Sequence, residues 1–472
     1  MAEVAAAAIA VEQVVATGVE VAVAAAVASP TQPPKVTLTQ LSKPQGSEPP
    51  DLARSHLVRS HHSVTVLGDT AYIFGGESRD GTLCSADMVS VSLPDSKFAA
   101  PETQYQLIQA LPTKDTSTDA LEPLQPAARR QHAACAQGGY FVIVHGGRGA
   151  SNSDSTAIDA DNCLWRWDSA TPGWSKLRGT TQLGARMAPR FGHWLFADDA
   201  QGLLVLHGGR AAAASEASVL DRVAAPEAQG ISALRDTQTE TWLYDLEAGA
   251  WTTLPGAPGA PLAAAYVGGK DATLYTVGAG EGGSGVSGSV HFLRLLGSAT
   301  ERARPGALVW QTVDFPTNAL TPGPRPRGGG ALVPLSTGMG RNYLVYMFGC
   351  DDVDSDDAAA RGHDKYYADM WALQLPTHGF NAAAAKDAIR SRVPGMQSGE
   401  LAWSAVELVA TEQMGASGGK VHPGPRGLFG VDSCLSGKGV VLWGGVNPKG
   451  EKEADGWILR LAYGYADNDR RE

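Results

Sequence analysis

Five arginines and three histidines recur at matching positions of a repeated pattern, and these residues are the best suited to chemistry. Arginine opens five of six similar segments, and histidine stands three residues further on in the first three. They are Arg59, Arg129, Arg190, Arg327 and Arg426, with His62, His132 and His193. Guanidinium groups that converge on one point can bind a carboxylate, sulfate or phosphate. The pattern predicts an anion site if the fold brings these positions together.

The same residues also allow a structural interpretation. A repeated arginine can pair with acids or loop carbonyls of the adjacent repeat, and it would then belong to the scaffold. Three histidines at one level could hold a metal ion, or they could be core residues whose ring nitrogens are satisfied. The sequence leaves these alternatives open.

An acidic segment, DDVDSDDAAARGHDKYYADMW, follows the fifth repeat from Asp351 to Trp371. Its alternating aspartates imitate the start of a calcium loop. However, Asp357 stands where such a loop needs glycine, and His363 stands where it needs glutamate. We therefore expect a solvated acidic loop here.

A hairpin that occurs six times must position these residues. In its clearest copy, PRFGHWLFADDAQGLLVLHGG (189–209), two apolar runs flank a polar turn and a glycine pair closes the second run. Such runs predict two antiparallel strands, and two further strand-like runs follow most copies. The fourth copy is degenerate, with Leu262 at the arginine position and Gly278 and Ala279 replacing the glycine pair. Repetition at this period predicts a solenoid or a propeller.

The last copy has three strands, whereas the others have four. An isolated strand-like run near the N-terminus, KVTLTQL (35–41), supplies the missing one, so the ring should close with this strand completing the last blade. We expect one propeller over residues 35–465. Residues 1–34 should be a low-complexity Ala/Val-rich tail, disordered or weakly helical, and residues 466–472 a polar tail.

The repeat resembles the kelch repeat, in which a glycine pair ends a strand and aromatic residues follow. The most faithful copies carry Gly146 and Gly147 with Trp165 and Trp174, and Gly208 and Gly209 with Tyr244 and Trp251. Six copies resemble a six-bladed kelch β-propeller, which implies an all-β fold. Galactose oxidase shares this propeller architecture alone.

The chain is more distantly similar to the kelch propellers of nitrile-specifier and thiocyanate-forming proteins. That resemblance implies Fe²⁺ bound through an E-x3-D-x3-H motif after the fifth hairpin. Asp351 would stand for the glutamate, Asp354, Asp356 or Asp357 for the aspartate, and His363 for the histidine. Here the first and last positions lie twelve residues apart, which is longer than the motif.

Charge, cysteine content and the N-terminal segment restrict the kinds of partner and the compartment that the sequence predicts. A net charge of −11 gives no basic footprint for nucleic acid or an anionic membrane. Five cysteines without CxxC spacing argue against a disulfide framework and favour a reducing, cytoplasmic compartment. No basic residue precedes Lys35, so a secretory signal is not expected. Glu3, Glu12 and Glu20 interrupt the N-terminal apolar run short of a membrane span.

Two functions remain. The first is a non-enzymatic interaction module that binds a protein partner through loops on one face, without a cofactor. Its candidate loops are residues 210–239, 351–366 and 376–398. The alternative is a small-molecule or Fe²⁺-assisted enzyme that binds an anionic ligand at the channel mouth through the eight recurring arginines and histidines.

Overall fold

Six small antiparallel sheets form a ring, so the chain is an all-β, six-bladed propeller. The computed structural model describes residues 33–41, 56–94, 103–109, 113–114, 123–149, 158, 162–177, 179–181, 187–211, 238–279, 287–295, 297–302, 304, 306–318, 322–337, 341–351, 366–377, 400–409 and 420–462. Nearly all of the expected N-terminal tail, and the whole C-terminal tail, lie outside these residues.

Blades 1 to 5 each have four strands in sequence order. The N-terminal strand is β1 (Lys35–Gln40), and blade 1 contains β2 (Ser63–Leu67), β3 (Thr70–Phe74), β4 (Met88–Ser92) and β5 (Tyr105–Ile108). A hairpin of β6 (Thr113–Lys114) and β7 (Pro123–Leu124) precedes blade 2, which contains β8 (Ala133–Gln137), β9 (Phe141–His145), β10 (Leu164–Asp168) and β11 (Gly173–Leu177). The short strands β12 (Thr180–Thr181) and β13 (Arg190–Phe191) come next. Blade 3 contains β14 (Trp194–Asp198), β15 (Leu203–His207), β17 (Thr241–Asp245) and β18 (Ala250–Leu254). The short strand β16 (Arg210–Ala211) lies between β15 and β17 in the sequence.

The second half repeats this order. Blade 4 contains β19 (Pro261–Val267), β20 (Thr273–Ala279), β21 (Gly288–Arg294) and β22 (Gln311–Asp314), with a short helix, α1 (Ala299–Arg302), between the last two. Blade 5 contains β23 (Ala331–Ser336), β24 (Asn342–Met347), β25 (Met370–Gln374) and β26 (Trp403–Ala405), and β27 (Glu407–Leu408) follows. Blade 6 contains β28 (Gly430–Cys434), β29 (Gly439–Trp443) and β30 (Gly456–Leu461).

The N-terminal strand closes the ring, as the sequence predicts. β1 pairs antiparallel with β30, from Val36 opposite Leu461 to Gln40 opposite Trp457. The short β27 then pairs parallel with the outer side of β1. Because the two ends of the chain share one sheet, blade 6 has the same four-stranded core as the other blades.

An apolar cluster fills each of the six junctions between neighbouring blades. In the junction between blades 2 and 3, Leu164 and Ile143 meet Leu204 and Trp251. A lone blade would expose both of its faces, so each sheet depends on its two neighbours for burial. Within the described residues, no helix has the length and apolar character of a membrane span.

The directions of the strands define the two faces of the ring. First strands of neighbouring blades pack against one another around the centre. Because strands alternate in direction, the starts of the first strands, the links from second to third strands and the links between blades all lie at one end. We call this end the arginine face, because it holds Arg59, Arg129, Arg190, Arg327 and Arg426. The opposite face carries the hairpins between first and second strands.

Candidate functional site

All five arginines lie at the arginine face, and their exposed fractions are 0–1%. Four of them donate from Nη1 to the carbonyl of the first glycine of the pair in their own blade. The N···O distances are 3.1 Å for Arg59 to Gly75, 2.9 Å for Arg129 to Gly146, 3.0 Å for Arg190 to Gly208 and 2.9 Å for Arg426 to Gly444. The guanidinium groups therefore cap second strands instead of projecting into the channel.

Three arginines also contact a carboxylate that stands two residues before a tryptophan. Arg190 Nη2 lies 2.6 Å from Glu240 Oε2, and Arg426 Nη1 lies 2.6 Å from Asp455 Oδ1. Arg327 pairs in the same way with Asp369. Burial acts to raise the pKa of Asp455, but the hydrogen bond and charge of Arg426 outweigh it and lower that pKa. These charges are thus matched inside the blade.

The main chain of four arginines reaches the neighbouring blade. Their carbonyls accept hydrogen bonds from the glycine at the second position of the preceding pair, which in blade 5 is Phe348 and Gly349. The N···O distances are 2.8 Å for Gly76 to Arg129, 3.0 Å for Gly147 to Arg190, 2.8 Å for Gly349 to Arg426 and 2.9 Å for Gly445 to Arg59. Each of these arginines therefore links two blades, and this geometry favours the scaffold interpretation.

The three histidines lie in three successive junctions, between blades 6 and 1, 1 and 2, and 2 and 3. Each ring packs beneath the first glycine of the preceding blade. A Cβ there would approach Cε1 to 3.0 Å at Gly444 over His62, 2.7 Å at Gly75 over His132 and 2.8 Å at Gly146 over His193. The glycine is needed because the histidine ring and the carbonyl oxygen of the following arginine together occupy the space that a side chain would take.

Burial keeps these histidines neutral. Desolvation, together with the charge of Arg129, lowers the pKa of His132 to about 3. The pKa values of His62 and His193 also lie well below the ordinary range because both rings are buried. His132 Nε2 lies 2.9 Å from Ser63 Oγ, and His193 Nε2 lies 2.9 Å from His145 Nδ1. The three rings are therefore neutral polar groups packed between neighbouring blades.

The candidate metal ligands are only partly described. Asp351 accepts a hydrogen bond of 2.5 Å from the Tyr367 hydroxyl, whereas Asp356 and His363 lie outside the described residues. Among the residues that the structure does describe, no three His, Cys, Asp or Glu side chains are grouped to hold a metal. Iron and anion binding both stay predictions.

A belt of main-chain hydrogen bonds surrounds the channel mouth, and sequence reasoning missed it. It joins the residue two positions after the arginine in each of five blades, and each has a left-handed φ between 54° and 65°. The N···O distances are 2.7 Å for Leu428 to Gly329, 2.9 Å for His61 to Leu428, 3.0 Å for Gln131 to His61 and 2.8 Å for Gly192 to Gln131. The belt thus runs through blades 5, 6, 1, 2 and 3.

Blade 4 departs from this plan, and its alignment in the sequence analysis was wrong. In blade 3, Trp194, four residues after the arginine, pairs with His207, just before the glycine pair. In blade 4 the corresponding pair is Ala263 with Val277, after an irregularity between Pro261 and Ala263. Pro261 pairs with Gly278 and packs beneath Gly208 of blade 3, so it holds the histidine position, and Leu262 is the extra residue at the irregularity.

Known proteins add little to this description. No protein-family model matches the chain, and no curated protein matches it. A solved structure entitled "Structure of YjhT" is similar over 86% of this chain and 96% of that chain, with 15% identity and a TM-score of 0.48. At this level of similarity, nothing about function is transferred.

Proposed function

We propose that the protein is a kelch-type interaction module of the cytoplasm that binds a partner protein through its arginine face. The observation that carries this proposal is the length of two connections on the arginine face, compared with the short hairpins between first and second strands. On the opposite face, the hairpins between first and second strands span between two residues, 68–69, and five residues, 268–272 and 337–341. On the arginine face, the links from second to third strands include residues 212–240 in blade 3 and 348–369 in blade 5.

Long connections on a rigid ring are a common basis for recognition, because insertions there leave the core unchanged. Each blade beneath them is stabilised by ion pairs of buried arginines, such as Arg190 with Glu240 and Arg426 with Asp455. Two of the three candidate loops, 210–239 and 351–366, start and end on the arginine face. The third, 376–398, joins β25 to β26 and starts from the opposite face. Most residues of the three loops lie outside the described structure, but the described ends show that the loops do not all start from one face.

The test removes one group of connections at a time. Replacing residues 212–237 and 352–365 by short Gly-Ser links should abolish capture of protein partners in a crosslinking pull-down. The matched control replaces residues 378–399 on the opposite face and should leave capture intact. The proposal fails if partners persist without the two arginine-face segments, provided that the melting temperatures of all variants agree.

The alternative function, an Fe²⁺-assisted enzyme acting on an anionic ligand, stays a prediction. Its five arginines are buried, and four of them donate to glycine carbonyls, so an anion would have to displace these bonds. Thermal-shift measurements with Fe²⁺ and with sulfate should leave the melting temperature unchanged. A saturable, stoichiometric stabilisation would restore the enzyme hypothesis.

A further inference from the structure

The central channel is the space enclosed by the first strands of the six blades, and its wall carries little charge. These strands are β2, β8, β14, β19, β23 and β28, and each packs against its two neighbours around the ring. They contain no lysine, arginine, histidine or glutamate, and their only charged residues are Asp198 and Asp432. The first strands therefore bring two carboxyl groups and no cation to the channel.

The two carboxyl groups have different surroundings. Asp198 is buried, and its Oδ2 accepts a hydrogen bond of 2.7 Å from the Tyr266 hydroxyl of blade 4. Asp432 is half-buried, and it bonds to main-chain amides: Oδ2 accepts from Val66 N at 2.7 Å and Oδ1 accepts from Ser433 N at 2.7 Å. Among the described residues, no lysine or arginine pairs with Asp432. Because a carboxylate offers about four acceptor sites, Asp432 can accept further hydrogen bonds.

Asp432 shares the channel with Cys135 of blade 2. The strands that carry them, β28 and β8, are separated by β2 of blade 1. Burial raises the pKa of the Cys135 thiol, and the charges of Asp432 and Asp199 raise it further, so the effect of Asp432 reaches past the intervening blade. Both Asp432 and Cys135 keep part of their surface accessible although their strands are the innermost of their sheets. The space that they share is therefore the channel.

The rest of the channel wall is largely apolar. Half-buried apolar side chains stand at interior positions of five first strands: Val66, Ala136, Phe196, Pro334 and Val431. In such surroundings a carboxylate without a cation is costly, and burial raises the pKa of Asp432 to about 6. A metal ion does not suit this wall, because no three His, Cys, Asp or Glu side chains are grouped among the described residues. Charge and wall together suit a cation with an apolar body.

We propose that the central channel binds a small organic cation, with its ammonium group on Asp432 and its alkyl body against the apolar wall. The ammonium N–H groups donate to the remaining acceptor sites of the carboxylate, and no bond is made or broken. This inference goes beyond the proposed function, because it needs neither the arginine face nor a partner protein. The charge of the ligand is also opposite to that of the anion predicted for the channel mouth.

Calorimetric titration of the full-length protein with butylammonium tests the ligand class, at neutral pH and constant ionic strength. We expect saturable binding of one ion per chain. Butanol and butyrate have a similar body without the positive charge, and both should bind at least tenfold more weakly. Methylammonium should also bind at least tenfold more weakly, because it lacks three methylene groups that the wall would cover. Absence of saturable butylammonium binding, or equal binding of any of the three comparison compounds, would overturn the proposal.

A pair of variants locates the contact. Asp432→Asn removes the charge but keeps an oxygen that can accept from Val66 N, so butylammonium should bind at least tenfold more weakly. Asp199→Asn is the matched control: Asp199 is exposed, and its Oδ1 also accepts from a main-chain amide, that of Gly138 at 2.9 Å. This control makes the same change of charge and should bind as the parent does. Equal affinity of the two variants would place the ligand elsewhere and reject the proposal.

The pH dependence of binding tests the same contact in the parent protein, even if Asp432→Asn does not fold. As pH falls through about 6, Asp432 gains a proton and loses the charge that attracts the ammonium group. An alkylammonium stays protonated in this range, and the Cys135 thiol stays neutral because its pKa is raised. The affinity for butylammonium should therefore fall about tenfold between pH 8 and pH 5. A constant affinity over this range would overturn the proposal.

Discussion

Blades 3 and 4 are neighbours with the same strand order, but they meet the arginine face differently. In blade 3, the pair Gly208 and Gly209 has φ values of 70° and 85°, and β15 ends before it. In blade 4, Gly278 and Ala279 stay extended inside β20, so β19, β20 and β21 each run for seven residues instead of five. The arginine arrangement thus ends the second strand and supports the belt, but a blade can form without it.

Blade 4 replaces the missing links with polar contacts to blade 3 at the opposite face. The Tyr266 hydroxyl donates to Asp198 Oδ2 at 2.7 Å, and Arg302 Nη1 donates to Gln201 Oε1 at 2.9 Å. The same junction is filled by an apolar cluster that includes Val205 and Leu274. Burial between blades is therefore the shared requirement, whereas the arginine, histidine and glycine set is a local addition.

Replacing one tryptophan in each blade should give the largest difference in stability between the two blades. Trp251 of blade 3 is 1% exposed and lies in the apolar cluster shared with blade 2, whereas Trp310 of blade 4 is half-buried. Trp251→Ala should lower the free energy of unfolding by about 3–5 kcal/mol, the usual cost of truncating a buried aromatic. Trp310→Ala should cost less than half as much. Urea titration measures both, and equal costs would contradict the comparison.

The arginine of blade 3 should have the next largest effect. Arg190→Met leaves the Gly208 carbonyl and the Glu240 carboxylate without their cation. We expect a loss of about 3 kcal/mol, at the low end for a broken buried pair because Glu240 is partly exposed. Arg294→Met, at an exposed position of β21, is the control and should change stability by less than about 0.5 kcal/mol. If Arg190→Met proved as harmless as the control, the arginines would not be structural links.

The sequence predicts the six hairpins and the closing strand because these depend on local alternation and turn residues. It does not reveal the partners of the arginines as readily, since Glu240 lies fifty residues after Arg190. A signal was nevertheless present: an acid two residues before tryptophan recurs at Glu240, Asp369 and Asp455.

The belt was beyond sequence reasoning for a different reason. Its members include His61, Gln131, Gly192 and Leu428, which have no side-chain property in common. They share a backbone conformation, and φ is imposed here by the ring instead of by residue type. The misplacement of Leu262 has a similar cause, because an irregularity in β19 displaces the register from the repeat.

The glycine pair gives a smaller, conformational test. A Cβ on Gly209 would approach the His193 Cβ to 2.6 Å, and the φ of Gly209 disfavours other residues. Gly209→Ala should therefore cost about 2 kcal/mol. Blade 4 already has Ala279 at this position, in extended backbone, and Ala279→Gly should cost less than about 1 kcal/mol. Chemical denaturation of both variants checks the expected order, and a reversed order would remove the reason given for the glycines.

The smallest expected effect is on the pH dependence of stability. It distinguishes the junctions that contain His62, His132 and His193 from blade 4. The folded-state pKa of His132 is about 3, well below its unfolded value of about 6.5. As pH falls through 6.5 the unfolded chain binds a proton that the folded chain does not, so stability falls. Between pH 7 and pH 6 this loss is about 0.7 kcal/mol for one such histidine.

His132→Gln should remove that part of the pH dependence, while Leu262→Gln, in the first strand of blade 4, should leave it unchanged. Burial raises the pKa of Asp432 to about 6, so its contribution has the opposite sign, but it is common to both variants and cancels in their difference. The measurement is the free energy of unfolding at the two pH values for both variants and the parent. An unchanged pH dependence in His132→Gln would mean that His132 gains its proton in the folded ring. The interpretation of His62, His132 and His193 as neutral side chains between blades would then be wrong.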